Sequence, residues 1–399
     1  HQDNSTPIIV TSVLYHVGAK NEAENRTGFA HFFEHLLFEG TQNIKRGEWS
    51  KLVTSNGGKN NAYTTDDFTY YYEVFPSNNL ELALWMESER MLHPIINEIG
   101  VETQNEVVKE EKRQRYDNAP YGNWIFEVRK RMFNNHPYQN IPIGKMEDLD
   151  AASLDEFIAF NQKYYIPNNA VLVVAGDFNT KEAKKMIETY FHSISAGQQI
   201  QKKTYEEAPL KAPIQAETYD KNIQIPALFT AYRTPKKTAR EARVLDMISS
   251  YLSDGKSSKL YRKLVDEKKM SLQVAAFNMS MEDYGLYVIL SIPMGNTELT
   301  AIKNEFDIEI EKIQTELISQ KDYEKLLNKF ESRFVDTNGS LEGIANSLAE
   351  YYTLYGDTDL INSEIEIYRS ISREEIREVA NKFLTPNQRL ILNYLPESK

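Results

Sequence analysis

Thr27-Gly28-Phe29-Ala30-His31-Phe32-Phe33-Glu34-His35-Leu36-Leu37-Phe38-Glu39-Gly40 is the stretch on which the whole chain is organised. Its apolar residues cover almost the full circumference of a helix, and a helix that apolar is buried. Thr27 is expected to cap its start and Gly40 to end it. At about 100° per residue, His35 lies roughly 40° from His31, and Glu34 roughly 60° to the other side. Three ionisable groups therefore share one narrow stripe of a buried helix. Buried polar groups without partners cost about 2–7 kcal/mol each. One metal ion satisfies all three at once.

The spacing has a mechanism. Histidines at i and i+4 offer two ring nitrogens to one Zn²⁺. A glutamate just before the second histidine reaches a water at the open metal position as general base. This is H-x-x-E-H, the inverted form of H-E-x-x-H. With seven histidines in 399 residues, chance produces on the order of 0.01 such matches per chain.

Around this motif the composition is that of a folded chain, 41% hydrophobic and 26% charged. A length of 399 residues suits two domains of about 200 residues rather than one core. The net charge of -12 argues against nucleic acid as a partner, because phosphate binding needs a basic face. Basic runs such as Lys112-Arg113-Gln114-Arg115 alternate with acids and read as solvated helix faces. There is no cysteine, so a zinc site must use His, Asp or Glu, and disulfides are excluded. No apolar run reaches the roughly 18 residues that span a bilayer. The chain opens on His1 without Met, which reads as a processed or trimmed start.

Residues 8–17 read as a buried strand, followed by a loop into the metal helix. Asn56-Gly57-Gly58 is a turn, and residues 61–75 read as a Thr- and Tyr-rich hairpin. Residues 80–92 and 101–116 read as helices. Ser153-Leu-Asp-Glu156 is a capping box opening a helix to Tyr164. Pro167-Asn168 stops it before the buried strand 170–175. The pattern recurs: Ser372-Arg-Glu-Glu375 opens a helix to Phe383, Pro386-Asn387 follows, then a strand at 389–395. From box to proline is fourteen positions in both copies. Residues 228–232, 239–252 and 272–292 repeat the first strand, the helix and the hairpin more loosely. The chain thus reads as α+β, two homologous units that are each a mostly antiparallel sheet packed with helices. The expected division is 1–197 for the catalytic unit, 198–213 for a linker, and 214–399 for a unit without H-x-x-E-H.

His31 to His35, followed by Leu36-Leu37-Phe38-Glu39-Gly40-Thr41, resembles the insulinase/pitrilysin family of inverzincin peptidases, which includes the mitochondrial processing peptidases. The resemblance covers nearly the whole chain, repeat included. It implies one Zn²⁺ per chain and a third ligand from a glutamate about 75 residues after the second histidine. The pattern V-V-x-x-E selects Glu111, with 75 residues between it and His35. Glu110 is the alternative, one residue out of register and about 100° away on a helix. The family usually has another glutamate seven positions before that ligand; here Gln104 stands there, able to orient a ligand by a hydrogen bond but not to add charge.

Asn61-Ala62-Tyr63 resembles the family's substrate-binding edge strand, on which a peptide is added as an extra strand. Many members also carry, in the second unit, an Arg and, seven residues later, a Tyr that hold the substrate carbonyl. Val265 and Leu272 occupy those places here, and neither donates a hydrogen bond. The resemblance implies a zinc endopeptidase acting on peptides or unfolded segments. The alternatives are a non-catalytic assembly subunit and a peptide-binding chaperone module. It further implies a working unit of four such α/β units, hence a heterodimer with a homologous subunit that supplies Arg and Tyr, or a homodimer as alternative. The expected compartment is the periplasm or cell envelope, with the cytoplasm as alternative.

Overall fold

A computed structural model describes residues 1–397. In its first unit, strands β1 (Ile8–Tyr15), β2 (Lys59–Thr64), β3 (Thr69–Pro76) and β4 (Ala170–Gly176) hydrogen-bond in the order β2-β3-β1-β4, every pair antiparallel. The apolar runs at 8–15 and 170–176 become neighbours at the sheet's centre and edge. Side chains on a strand alternate between faces, so each face has its own cover. Ile9, Phe75 and Val174 pack against Leu80, Ala83, Leu84 and Met86 of the helix Leu80–Leu92. On the opposite face Val10, Leu14, Tyr70, Val173 and Ala175 pack against Leu341, Ala345 and Ala349 of the helix Leu341–Tyr355.

The second unit holds β5 (Ile214–Asp220), β6 (Ala227–Thr234), β7 (Ser271–Ser280), β8 (Gly285–Pro293) and β9 (Arg389–Pro396) in the order β5-β9-β6-β8-β7. Only β5 and β9 run parallel. Leu228, Tyr232 and Ile289 face a core shared with helices Arg240–Ser253, Leu299–Thr315 and Arg373–Phe383. Phe229, Val288 and Leu392 face Val128 and Met132 of the helix Trp124–Met132. The fold is therefore α+β, with antiparallel-rich sheets packed by helices.

The partition of the chain corrects the simple cut at 198–213. The first compact unit is His1–Lys112, Asn140–Thr204 and Val335–Ile361; the second is Arg113–Gln139, Tyr205–Phe334 and the chain from Asn362 on. The reason is physical. A sheet with apolar residues on both faces must be covered on both. In each unit the second face takes a helix from a remote part of the sequence.

The repeated capping signal is only half repeated. Ser153 and Glu156 form the reciprocal box. Ser372 accepts from the Glu375 amide, but the Glu375 carboxylate is taken by Arg240 in a two-pronged pair at 2.7 and 3.0 Å. The helix expected at 101–116 runs from Glu98 to Lys112 and passes into a wider turn over Arg113–Asp117. Among the described residues, no helix is long and apolar enough to cross a membrane.

Ala345 is fully buried against the first sheet. Ala345→Asp places an unpaired carboxylate there and is expected to destabilise the first unit by about 3–5 kcal/mol. Urea unfolding followed by tryptophan fluorescence reads this directly. A change below about 1 kcal/mol would mean that the helix Leu341–Tyr355 is not a structural part of that unit.

Candidate metal centre

The metal helix spans Phe29–Leu36. Its aromatic side is locked first: Phe29 and Phe32 lie 4.6 and 4.7 Å, ring to ring, from Phe157, and Phe33 lies 5.5 Å from Phe160. This fixes the rotation of the helix about its axis and leaves His31, Glu34 and His35 on the other side.

The ends are held differently from the sequence expectation. Thr27 does not cap the helix, because its hydroxyl donates to Asp148 at 2.5 Å. The Glu22 carboxylate caps instead, accepting the Gly28 and Ala30 amides at 2.8 and 2.9 Å. Burial holds the Glu22 carboxyl well above the usual carboxylate range, against the opposing pull of those two amides. Gly28 has φ +95°, and a Cβ on the abutting Gly144 would sit 2.3 Å from the Gly28 nitrogen; this close crossing needs glycine at both places. Gly40 does not end the helix either. The last turn closes at Leu37, whose carbonyl accepts from the buried Arg90 at 3.2 Å.

On that side the buried His31 and the half-buried His35 have their rings 4.9 Å apart. Glu111, near the end of the helix Glu98–Lys112, brings one carboxylate oxygen to 3.5 Å from His31 Nε2 and 3.3 Å from His35 Nε2. A tetrahedral Zn²⁺ with ligand bonds of about 2.0–2.1 Å has ligand-to-ligand edges of about 3.3–3.4 Å. The two edges to Glu111 therefore stand close to those of a zinc tetrahedron, all three donor atoms lie within 4.8 Å of one another, and a donor set of two imidazoles and one carboxylate leaves the fourth vertex open. Among the described residues, no other His, Asp and Glu group converges in this way. Glu110 is exposed and lies outside the cluster.

Glu34 sits beside these donors and accepts the Thr64 hydroxyl at 2.7 Å. Thr64 was not singled out from sequence, although it stands at the end of β2. The signal lay in the two-residue period: Ala62 and Thr64 share the sheet face that looks at the metal helix, whereas Asn61 and Tyr63 share the other. Asn61 is exposed. Tyr63 is turned into the sheet's opposite core and its hydroxyl donates to Asn346 at 2.5 Å. The Tyr63 side chain is thus committed to packing, and only its backbone is presented at the sheet edge. β2 has β3 as its single partner, so its outer edge is unpaired in the sheet.

Gln104 is not aimed at a metal ligand. Its amide donates to Glu39, which also takes Arg46. The helix-end carboxylate, placed between a guanidinium and an amide, captures the donor expected to orient the metal site. In the second unit Val265 packs against the core and Leu272 is half exposed. Both sit where the resemblance calls for hydrogen-bond donors.

Comparison with known sequences fits this geometry. The family model described as Insulinase (Peptidase family M16) matches residues 1–144, and the one described as Peptidase M16 inactive domain matches residues 151–330. The chain belongs to the insulinase family of peptidases, M16. Within it, the chain is 29% identical to the zinc protease PqqE of Helicobacter pylori over 97% of its own length and 87% of the relative's. A solved structure of a protease from Helicobacter pylori superposes with a TM-score of 0.93 at 28% identity, covering 98% of this chain and 95% of that one. The Escherichia coli protein PqqL, described as a periplasmic protease, has a TM-score of 0.78 at 18% identity. This chain covers 45% of PqqL, and that likeness shows the fold alone. As an M16 member, the protein belongs to a protease family whose relatives are named for zinc.

The register of the helix Glu98–Lys112 makes a sharp expectation. Glu111→Gln should lose most bound zinc on dialysis against a mild chelator, while Glu110→Gln should retain it as the parent does. Zinc per chain by atomic emission separates them, and the reverse outcome would place the ligand one residue earlier.

Proposed function

We propose that the protein is a zinc-dependent endopeptidase hydrolysing peptides or unfolded polypeptide segments. The observation that carries this reading is the convergence of His31, His35 and Glu111 at zinc-like spacing with Glu34 beside them. One Zn²⁺ per chain, held by those three residues, supplies Lewis acidity toward a peptide carbonyl and toward water.

The chain's own residues do the rest. Glu34 takes the proton of the attacking water and returns it to the departing amine nitrogen. The Thr64 hydroxyl fixes the orientation of the Glu34 carboxylate, since one of its oxygens is already engaged at 2.7 Å. The unpaired edge of β2, at Asn61, Ala62 and Tyr63, takes the substrate as an added strand, so that backbone pairing sets position without reading sequence. A substrate must be extended to pair there, which favours short peptides and unfolded segments over folded proteins.

We further propose that the chain works with a second, homologous protein. Val265 and Leu272 cannot donate to a developing oxyanion, and loss of such a donor typically costs about 3–4 kcal/mol of transition-state stabilisation. A homologous subunit carrying Arg and Tyr at those places supplies them in a heterodimer. In a homodimer, the alternative, a backbone N–H would have to serve. The compartment we propose is the periplasm or cell envelope, supported by the description of PqqL as periplasmic.

Glu34→Gln is expected to keep zinc at the parent level and lose at least about two orders of magnitude in turnover of a quenched unstructured peptide. Near-parent turnover by the zinc-loaded variant would rule out Glu34 as the base. For the partner, turnover of the purified chain is expected to rise by at least about tenfold on adding a homologue that carries Arg and Tyr at the two matching positions. Full activity of the isolated chain, unchanged by any homologue of the same source, would end the heterodimer reading.

A further inference from the structure

The second unit keeps the architecture of the metal site without its donors. The helix Arg240–Ser253 follows β6 as the metal helix follows β1. The helix Gln320–Thr337 stands in the second unit's order where Glu98–Lys112 stands in the first's. Counted from the helix starts, Asp246 holds the place of His35 and Arg333 the place of Glu111. Between these two helices and β7 lies a cavity of about 300 Å³, lined by Asp246, Ser250, Asp254, Asn278, Phe330 and Arg333 among others. That is the lower end of the size range of small-molecule sites.

The charges in this cavity are unevenly matched. Asp246 accepts from the Asn278 amide at 3.1 Å and from the Tyr368 hydroxyl at 3.4 Å, and no cation stands at ion-pair distance from it among the described residues. The neighbouring Arg243 is committed to Glu364 by two bonds of 2.8 Å. Burial pushes the Asp246 carboxyl up to about 6, so it is mostly ionised near neutral pH. At the other end Asp254 takes both Lys329, at 2.8 Å, and Arg333, two cations on one carboxylate. Lys237 and Arg243 pull on the Asp246 carboxyl through space without forming an ion pair with it, so one end lacks a directly paired cation and the other has two. Asp254, just past the helix end, stands eight positions after Asp246, about 12 Å along the helix axis. A ligand that answers both ends carries a cation and an anion at opposite ends of a flexible chain, too far apart for the adjacent groups of a simple α-amino acid. The Phe330 ring offers an apolar wall for such a chain, and the Arg333 guanidinium already lies 5.2 Å from its centroid. A metal ion fits poorly, since a guanidinium stands where the first unit has a ligand carboxylate.

We propose that this cavity is a binding site for a basic amino acid, lysine or arginine, either free or as the C-terminal residue of a peptide, with its side-chain cation on Asp246 and its carboxylate at Arg333. The site is independent of the zinc chemistry.

Calorimetric titration of the full chain tests it with four probes: L-lysine, cadaverine, L-norleucine and N-acetyl-glycyl-L-lysine. L-lysine is expected to bind at one site. Norleucine, which lacks the side-chain cation, and lysine on Asp246→Asn should each bind about tenfold or more weakly. Arg333→Gln, a substitution at a side chain 51% exposed and so compatible with folding, should weaken lysine while leaving cadaverine unchanged. Equal binding of the acetylated dipeptide and lysine assigns the peptide C-terminus as source; binding of lysine alone assigns the free amino acid. Equal affinity for norleucine and lysine overturns the proposal, as does no loss in either variant or no heat with any probe up to about 10 mM.

Discussion

The metal helix is held by one buried cation. The Arg90 guanidinium is fully covered and reaches three elements at once: Glu73 on β3 at 2.7 Å, Glu87 on its own helix at 3.1 Å, and the Leu37 carbonyl at the end of the metal helix at 3.2 Å. Three rings enclose it, with centroids at 4.1 Å for Trp49, 4.5 Å for Tyr71 and 4.6 Å for Phe38. Burial alone would lower its pKa, but Glu87 and Glu73 more than offset that and raise it. Two carboxylates face one guanidinium, and burial followed by repulsion from Glu87 drives the Glu73 carboxyl well above its usual range. One guanidinium against two carboxylates leaves a net negative charge, and protonation of Glu73 makes the cluster neutral. Removing one member of a buried set leaves an uncompensated charge, at a cost of about 3–5 kcal/mol. The arrangement therefore favours one position of the helix end over any slid or rotated one, and His31, Glu34 and His35 inherit that position.

What the sequence disclosed and what it hid divide along the range of the interactions. His31, Glu34 and His35 were legible because their chemistry is set by spacing within one helix, which three-dimensional context cannot rearrange. Glu111 was legible only through a resemblance, since nothing local joins residue 35 to residue 111. The helix cap was misread: a threonine near a helix start is a sound local signal, but Gly28 takes the cap position, Asp148 takes the Thr27 hydroxyl and Glu22 reaches in from the loop. The interleaved division of the chain was hidden for a related reason. Leu341, Ala345 and Ala349 recur at helical spacing and announce burial, yet periodicity says nothing about which sheet they bury against.

Strand β2 shows how one short segment carries two duties. Its Tyr63 face is bound to the helix Leu341–Tyr355, through the Tyr63–Asn346 bond and the ion pair of Lys59 with Glu342. Its Thr64 face meets Glu34. The edge between those faces is held from both sides and has no strand partner in the sheet. An edge strand with an unpaired ladder is an aggregation hazard unless it is short or charged. β2 has six residues and begins with a lysine, so its unpaired ladder carries little risk to the fold.

The same frame in the second unit separates what the fold requires from what the chemistry requires. Helix, edge strand and second helix recur in the same order, while the residues at the matching helix positions change from His35 and Glu111 to Asp246 and Arg333. A pair of metal donors becomes an acid and a base, and this changes what the space can attract. The metal donors suit a small divalent cation that needs lone pairs within about 2 Å. Asp246 and Arg333 suit a longer ligand with separated charges. The aromatic packing that fixes the metal helix through Phe157 and Phe160 has its counterpart in an aliphatic core around Val244, Leu245 and Ile248. The support of each helix is thus independent of the groups on its opposite side, which is why one scaffold can keep its shape while those groups diverge.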